Sequence, residues 1–148
     1  MSLHLPRTTW TPGIGPRPDD AWLKEIDKAL LVDVGAILFD RGQGFEAHEA
    51  WEFAWKDAKA EGLVDEERVL RAMIKVAAAM VKVRQGNPSG VRAHANGARL
   101  ILDEVRGDVV VGVHVAALKD MAQRVEDAAD TWTAKPVGEP MFGKIRRG

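Results

Sequence analysis

The chain has 148 residues, of which 46% are hydrophobic and none is cysteine. A chain of this length forms about one domain and can bury roughly 68–70% of its unfolded surface, so it does not need a second domain. Its 21 basic and 22 acidic residues give a net charge of -1, which excludes an overall attraction to nucleic acid or an anionic membrane, and the lack of cysteine excludes disulfides and thiolate chemistry.

Targeting features are also missing from the sequence. No apolar run approaches the roughly 18–20 residues needed to span a bilayer. Residues 1–18 lack the basic start and the continuous apolar stretch of a signal peptide. We therefore expect a cytoplasmic protein.

Residues 1–18 are predicted to form an extended N-terminal arm. They contain four prolines, each without a backbone N–H, which prevents regular hydrogen bonding: Pro6, Pro12, Pro16 and Pro18. We expect Trp10 to hold this arm against the rest of the molecule.

Residues 19–132 are predicted to form a helical bundle, and its first helix begins after the arm. Asp19 and Asp20 are typical of a helix N-terminus, where acids cap free N–H groups. Apolar residues then recur at steps of three and four, which predicts one continuous helix ending near residue 39: Leu23, Ile26, Leu30, Val34 and Ile37. Gly35 costs about 1 kcal/mol relative to alanine inside a helix, which indicates that another helix crosses closely there.

Four further helices are predicted at about 45–60, 65–85, 89–105 and 115–129, each separated from the next by a break that contains glycine. Three valines at 109–111 are too few to build a sheet. Five helices with short connections predict an all-α fold, a compact bundle. Residues 133–148 are predicted to be an irregular tail, with a solvated end at Lys144-Ile145-Arg146-Arg147.

The second predicted helix carries the residues that most directly indicate chemistry. On a wheel of 100° per residue, His48 and Glu52 lie one turn apart on the same side, and Glu49 lies further round beside Phe45. An imidazole and a carboxylate so placed can hold Zn, Fe, Mn or Ni, or can act as general acid and base. His48, Glu49 and Glu52 are therefore the candidate catalytic residues.

This pattern differs from the zinc-protease pattern His-Glu-x-x-His, because Glu52 replaces the second histidine. Trp51 and Trp55 fall on the core-facing arc and are predicted to be core first and pocket wall second. The alternative is purely structural, since a histidine and a glutamate one turn apart often only hydrogen-bond each other or a neighbouring helix. The remaining histidines of the bundle are expected at the surface or as helix caps: His94 and His114.

The pattern Phe39-x-x-Gly42-x-x-Phe45-Glu46-Ala47-His48-Glu49-x-x-Glu52-x-x-Trp55 resembles the signature of the domain-of-unknown-function 309 family, small helical proteins of bacteria and archaea. Two further blocks agree with it, Leu70-Arg71-Ala72-Met73-Ile74-Lys75-Val76-Ala77-Ala78-Ala79 and Arg84-Gln85-Gly86-Asn87-Pro88-x-Gly90. The resemblance extends over about residues 39–102. It implies an all-α bundle and no established activity.

A basic stripe on the third predicted helix departs from that family's pattern. The family usually has glutamines where this chain has Arg71 and Lys75, and a histidine near the position of Lys82. The three basic residues fall within about 40° of one another on the helix. Because the other faces of this helix are apolar, we expect it to be central in the bundle.

Buried charges without a partner cost several kcal/mol, so the stripe needs acids nearby. We hypothesise that Arg71 or Lys75 pairs with Glu49 or Glu52, and that His48 is hydrogen-bonded into the same cluster. Such cations would already fill the role of a metal. No metal or cofactor is therefore predicted, and His48 and Glu52 are the expected ligands if a divalent ion does bind. The alternative is that the stripe faces solvent.

The sequence thus predicts an uncharacterised helical-bundle protein whose candidate site is the polar cluster, with Phe45, Trp51 and Trp55 around it. A metal-binding or hydrolase-like enzyme is one alternative function. A module that binds a protein, a peptide or a second copy of itself is the other, with the arm and the tail as docking segments. Nucleic-acid and membrane partners are not expected, since basic residues alternate with acids and tyrosine is absent.

Overall fold

The computed structural model describes residues 4–148, which fold mainly into α-helices, as the all-α prediction requires. Residues 1–3 of the predicted arm lie outside the described residues. The helices are α1 (Ala21–Lys24), α2 (Leu31–Asp40), α3 (Gly44–Ala60), α4 (Val64–Arg84), α5 (Pro88–Leu102) and α6 (Val115–Asp127). None of the helices in residues 4–148 is long and apolar enough to cross a membrane.

The prediction of one continuous first helix is wrong, because the chain breaks between residues 25 and 30. The short helix α1 is followed by a 3-10 helix, Lys28–Leu30, before α2 begins. The Asp27 carboxylate accepts a hydrogen bond from the Ala29 N–H at 2.9 Å, and this local bond competes with helix continuation. The break leaves Leu30 41% exposed, although the periodic pattern placed it inside.

The four longer C-terminal helices occur where they were predicted, and their order explains the packing. The central helix, α4, lies between α3 and α5, while α2 packs on α3 and α6 packs on α5. The helices α3 and α4 are antiparallel, because Gly44 approaches Met80 at one end and Trp55 hydrogen-bonds Glu67 at the other.

A small hairpin joins α5 to α6. Its strands, β1 (Val109–Val110) and β2 (Val113–His114), are antiparallel and two residues long. The connecting Val111 and Gly112 have φ of 47° and 74°, as a two-residue turn with both central φ angles positive requires. The three valines therefore form a strand pair, although it is too short to make a sheet layer.

The prediction of a solvated end at residues 144–147 is confirmed for its three basic residues, which are exposed, and is wrong for Ile145. Phe142 and Ile145 are only 1% and 5% exposed. The Ile145 N–H donates to the Asp40 carboxylate at 2.8 Å, and Arg147 forms a bridge with Val113. The tail therefore covers the core between α2 and the hairpin.

Candidate functional site

The N-terminal arm folds back over the start of α3. Gln43, fully buried just before α3, donates through Nε2 to the carbonyl oxygens of Pro6 and Thr8 at 2.8 and 2.9 Å. The Trp10 N–H donates to Glu46 Oε2 at 3.0 Å, and the Trp10 ring meets Phe45 edge to face. Trp10 therefore holds the arm as predicted, through its backbone as well as its ring.

Glu46 is an acid in an apolar setting. Only 5% of the residue is exposed, and burial raises the pKa of its carboxyl despite hydrogen bonds from Thr9 and Trp10. Within residues 4–148 its Oε1 atom has no hydrogen-bond partner. The nearest compensating charge is Arg84 of α4, whose own pKa is lowered by burial.

The candidate catalytic residues lie together on the next turn of α3. The Nδ1 atom of His48 is 3.7 Å from Glu49 Oε1 and 3.9 Å from Glu52 Oε2. One ligand atom from each residue lies within 4.8 Å of the other two. His48 Nδ1 is buried and, in the described part of the chain, has no hydrogen-bond partner, so the imidazole faces two carboxylates without bonding either.

The cation beside this cluster comes from the N-terminal arm. Arg17 Nη2 lies 2.8 Å from Glu49 Oε2, which leaves Oε1 facing His48. The pKa of Glu49 is lowered by the adjacent His48 and by Arg17, which together outweigh the desolvation of a carboxyl that is nearly buried. Glu49 is therefore a carboxylate at neutral pH.

The hypothesis that Arg71 or Lys75 pairs with Glu49 or Glu52 is wrong. Arg71 instead pairs with Glu67, one turn back on its own helix, at 3.0 Å. The stem of Lys75 lies over Gly97 of α5. The cations of α4 therefore do not occupy this site, and the cation that contacts it is Arg17 of the arm, at Glu49 Oε2.

The two predicted wall residues of α3 have different surroundings. Trp51 is fully buried and donates to the Val32 carbonyl at 3.0 Å, so it belongs to the core. Trp55 is partly exposed, donates to Glu67 at 3.2 Å and has the Lys59 ammonium 4.9 Å above its ring. Its bond to Glu67 ties this end of α3 to α4.

A cavity of about 380 Å³ opens beside the cluster, between the arm and α3. Phe45, Glu46 and Glu49 form one side of it, and His4, Arg7 and Trp22 are among the residues opposite. The cavity is open to solvent along the arm. A small molecule there would meet the Glu49 carboxylate directly.

Sequence reasoning missed four residues of this region. Gln43 precedes the FEAHE segment and Glu46 lies within it. Their polar side chains, next to apolar core positions, could have identified both as candidate site residues. Arg17 and Arg84 carry no such signal, since each reaches α3 or its start from a distant part of the chain. Only the folded arrangement brings these side chains to the cluster.

One imidazole and two carboxylates within 4.8 Å can do two kinds of chemistry. Nitrogen and oxygen donors of this type bind Zn, Fe or Mn. The same residues can also exchange a proton between His48 and Glu52. The buried Nδ1 atom of His48, which has no hydrogen-bond partner among the described residues, is available to either role.

Comparison with known protein families identifies one match. Residues 32–93 match the model of a family described as Domain of unknown function (DUF309). The matched segment runs from α2 into the start of α5 and contains all three residues of the cluster. No curated protein matches the chain at a significant level.

Proposed function

Since residues 32–93 belong to the Domain of unknown function (DUF309) family, whose description states no activity, we propose a function from the site itself: divalent-cation binding by His48, Glu49 and Glu52. The observation that carries the proposal is the His48 Nδ1 atom, buried between two carboxylates and, among the described residues, without a hydrogen-bond partner. A cation placed there would satisfy all three groups at once.

The distances support this assignment. Two ligands that each lie about 2.0–2.2 Å from one ion are at most about 4.4 Å apart. The 3.7 and 3.9 Å distances from His48 already fall within that limit, and the largest separation in the cluster, 4.8 Å, needs a side-chain shift of only about half an ångström. No backbone movement is required.

The chemistry we propose is hydrolytic. A divalent ion held by these three ligands would have a coordination position open to solvent and would supply a water of lowered pKa for hydrolysis. The 380 Å³ cavity beside Glu49 provides room for a substrate. A metal-free acid–base role for the same residues is the competing interpretation.

Arg17 regulates access to the proposed ion. Its guanidinium occupies Glu49 Oε2, so a cation must share that carboxylate with the arm. Because Arg17 is largely exposed, replacing it should not disturb the core. We therefore expect Arg17→Gln to strengthen metal binding, a result that a purely structural role for the cluster would not produce.

The test is a calorimetric titration of the metal-free protein with Mn²⁺ and Zn²⁺. We expect one ion per chain, with binding at least about tenfold weaker in Glu52→Gln and His48→Gln, since even indirect metal partners are typically worth 10–100-fold. Glu61→Gln, an exposed acid at the end of the same helix, is the matched control and should bind as the unmodified protein does.

Two outcomes would overturn the proposal. One is the lack of stoichiometric binding of either ion to the unmodified protein and to Arg17→Gln. The other is binding that Glu52→Gln and His48→Gln leave unchanged, which would place the ion elsewhere. We also propose a cytoplasmic location and a protein or homo-oligomeric partner. The arm and the tail both pack on this chain's own bundle, which disfavours them as docking segments.

A further inference from the structure

We propose that Lys75 and Lys82 of α4, together with His94 of α5, bind a phosphate-type dianion. None of these residues belongs to the proposed metal site. The inference therefore stands separately from the proposed function and is tested separately. It rests on how the two lysines cross the α4–α5 junction.

Each lysine stem lies over a glycine of α5. A Cβ added at Gly97 would be 3.2 Å from Lys75 Cδ, and one added at Gly90 would be 2.8 Å from Lys82 Cδ. The lysines and the glycines are each seven residues apart, or about two helical turns. The antiparallel helices thus repeat the same contact twice, and both lysine stems cross from α4 onto α5.

His94 lies between these two contacts. It is four residues after Gly90 and three before Gly97, on the same face of α5. The pKa of His94 is lowered first by burial and then by Lys75, Lys82 and, across α4, His48. His94 is therefore a neutral imidazole at pH 7, able to donate one hydrogen bond without adding charge.

The positive charge on this surface is not neutralised by the protein. In residues 4–148 neither Lys75 nor Lys82 has a carboxylate within 4.0 Å. Both lysines are half-buried because their stems lie against α5, and the partner that we infer for their charge is an external anion.

The number and spacing of the groups indicate the ligand class. Two ammonium groups and one neutral imidazole match two negative charges and several acceptor oxygens, as a phosphate monoester or inorganic phosphate presents. The Cα atoms of the lysines are about 10 Å apart along the helix, and both flexible stems can converge on one group between them. A carboxylate, with one charge, would leave one ammonium group unpaired.

The probe is inorganic phosphate, titrated at pH 7.5 and low ionic strength with EDTA present and followed by ³¹P NMR or calorimetry. We expect saturable binding of one phosphate per chain, weakened at least tenfold in Lys75→Met and in Lys82→Met. Methionine keeps an unbranched apolar stem over the glycine, so the fold should be retained. Lys24→Met, an exposed lysine of α1, removes the same charge elsewhere and should bind normally.

Three results would overturn the inference. Phosphate binding that is lost equally in Lys24→Met would show a general charge effect. Acetate binding as strong as phosphate binding would contradict the dianion. Phosphate binding that appears only when EDTA is replaced by a divalent ion would assign the anion to the metal, and would at the same time support the proposed function.

Discussion

Gly35 of α2 lies directly against the indole ring of Trp51 in α3. A Cβ at position 35 would overlap the ring around its Nε1 atom, which donates to the Val32 carbonyl at 3.0 Å. The indole is fully buried and also meets Phe39 at a centroid distance of 5.6 Å. The close helix crossing predicted from the presence of this glycine is confirmed, and the residue that requires it is Trp51.

Gly35→Ala should therefore destabilise the protein even though alanine favours helix. Overpacking a core typically costs about 1–3 kcal/mol, and the gain in helix propensity offsets about 1 kcal/mol. Because the indole is hydrogen-bonded in place, we expect the upper end of that cost and a net loss of about 2 kcal/mol in the free energy of unfolding. Urea denaturation measures it.

The matched background for this substitution is Trp51→Leu, which removes the ring. There Gly35→Ala should be neutral or slightly stabilising, since only the propensity gain is left. An equal loss of stability in both backgrounds would show that the indole does not cause the effect.

Glu46→Gln should stabilise the protein in a pH-dependent way. The folded-state pKa of Glu46 is raised by burial above its ordinary 4.5, so ionisation costs more in the folded than in the unfolded chain. The unmodified protein therefore loses stability relative to the glutamine variant as the pH rises from about 4.5 through the raised pKa. Each unit of pKa difference corresponds to about 1.4 kcal/mol.

The measurement compares the unfolding free energies of both proteins at pH 4 and pH 7.5. We expect the difference between them to favour glutamine more at pH 7.5. Glu61→Gln, which removes an exposed carboxylate at the end of α3, is the matched control. A difference that is flat with pH, or that favours glutamine more at pH 4, would refute the assigned cause.

Phe142→Ala should destabilise the whole domain, because the tail completes the core. The Phe142 ring is 1% exposed and packs edge to face on Trp132 at 4.9 Å and against Phe39 at 6.2 Å. Truncating a buried phenylalanine typically costs about 3–5 kcal/mol. Chemical denaturation should show this loss, whereas Lys144→Ala, two residues further on and exposed, should stay within about 0.5 kcal/mol. If both substitutions had similarly small effects on stability, the ring of Phe142 would not be part of the core and the tail would be solvated.

The helices that were predicted correctly share one property. In α3 to α6 the apolar residues recur with the helical period, and glycine, asparagine or proline marks the breaks. The first predicted helix had the same period but was interrupted, because Asp27 binds its own neighbouring backbone and so ends the run. Periodicity describes which face is apolar, and it does not register a local hydrogen bond that competes with the helix.

The candidate site was also predicted correctly in one part and incorrectly in another. His48, Glu49 and Glu52 were identified together because they lie within one and a half turns of a single helix, where sequence spacing determines distance. The cation predicted to pair with these carboxylates was wrong. The basic stripe of α4 was the natural candidate by charge, but the direction in which each side chain leaves its helix sends Arg71 to Glu67 and Lys75 to α5.

The sequence by itself therefore determined the fold class, most helix bounds, the clustering of three polar residues on α3 and the close crossing at Gly35, since each depends on local spacing. Only the tertiary structure decided that Arg17 pairs with Glu49, that the tail is buried beside Asp40, and that two lysines cross onto α5. Those contacts join distant parts of the chain. Hydrophobic burial brings these segments together but is not directional. The packing of the helices, and not the sequence pattern, therefore selects which side chains become partners.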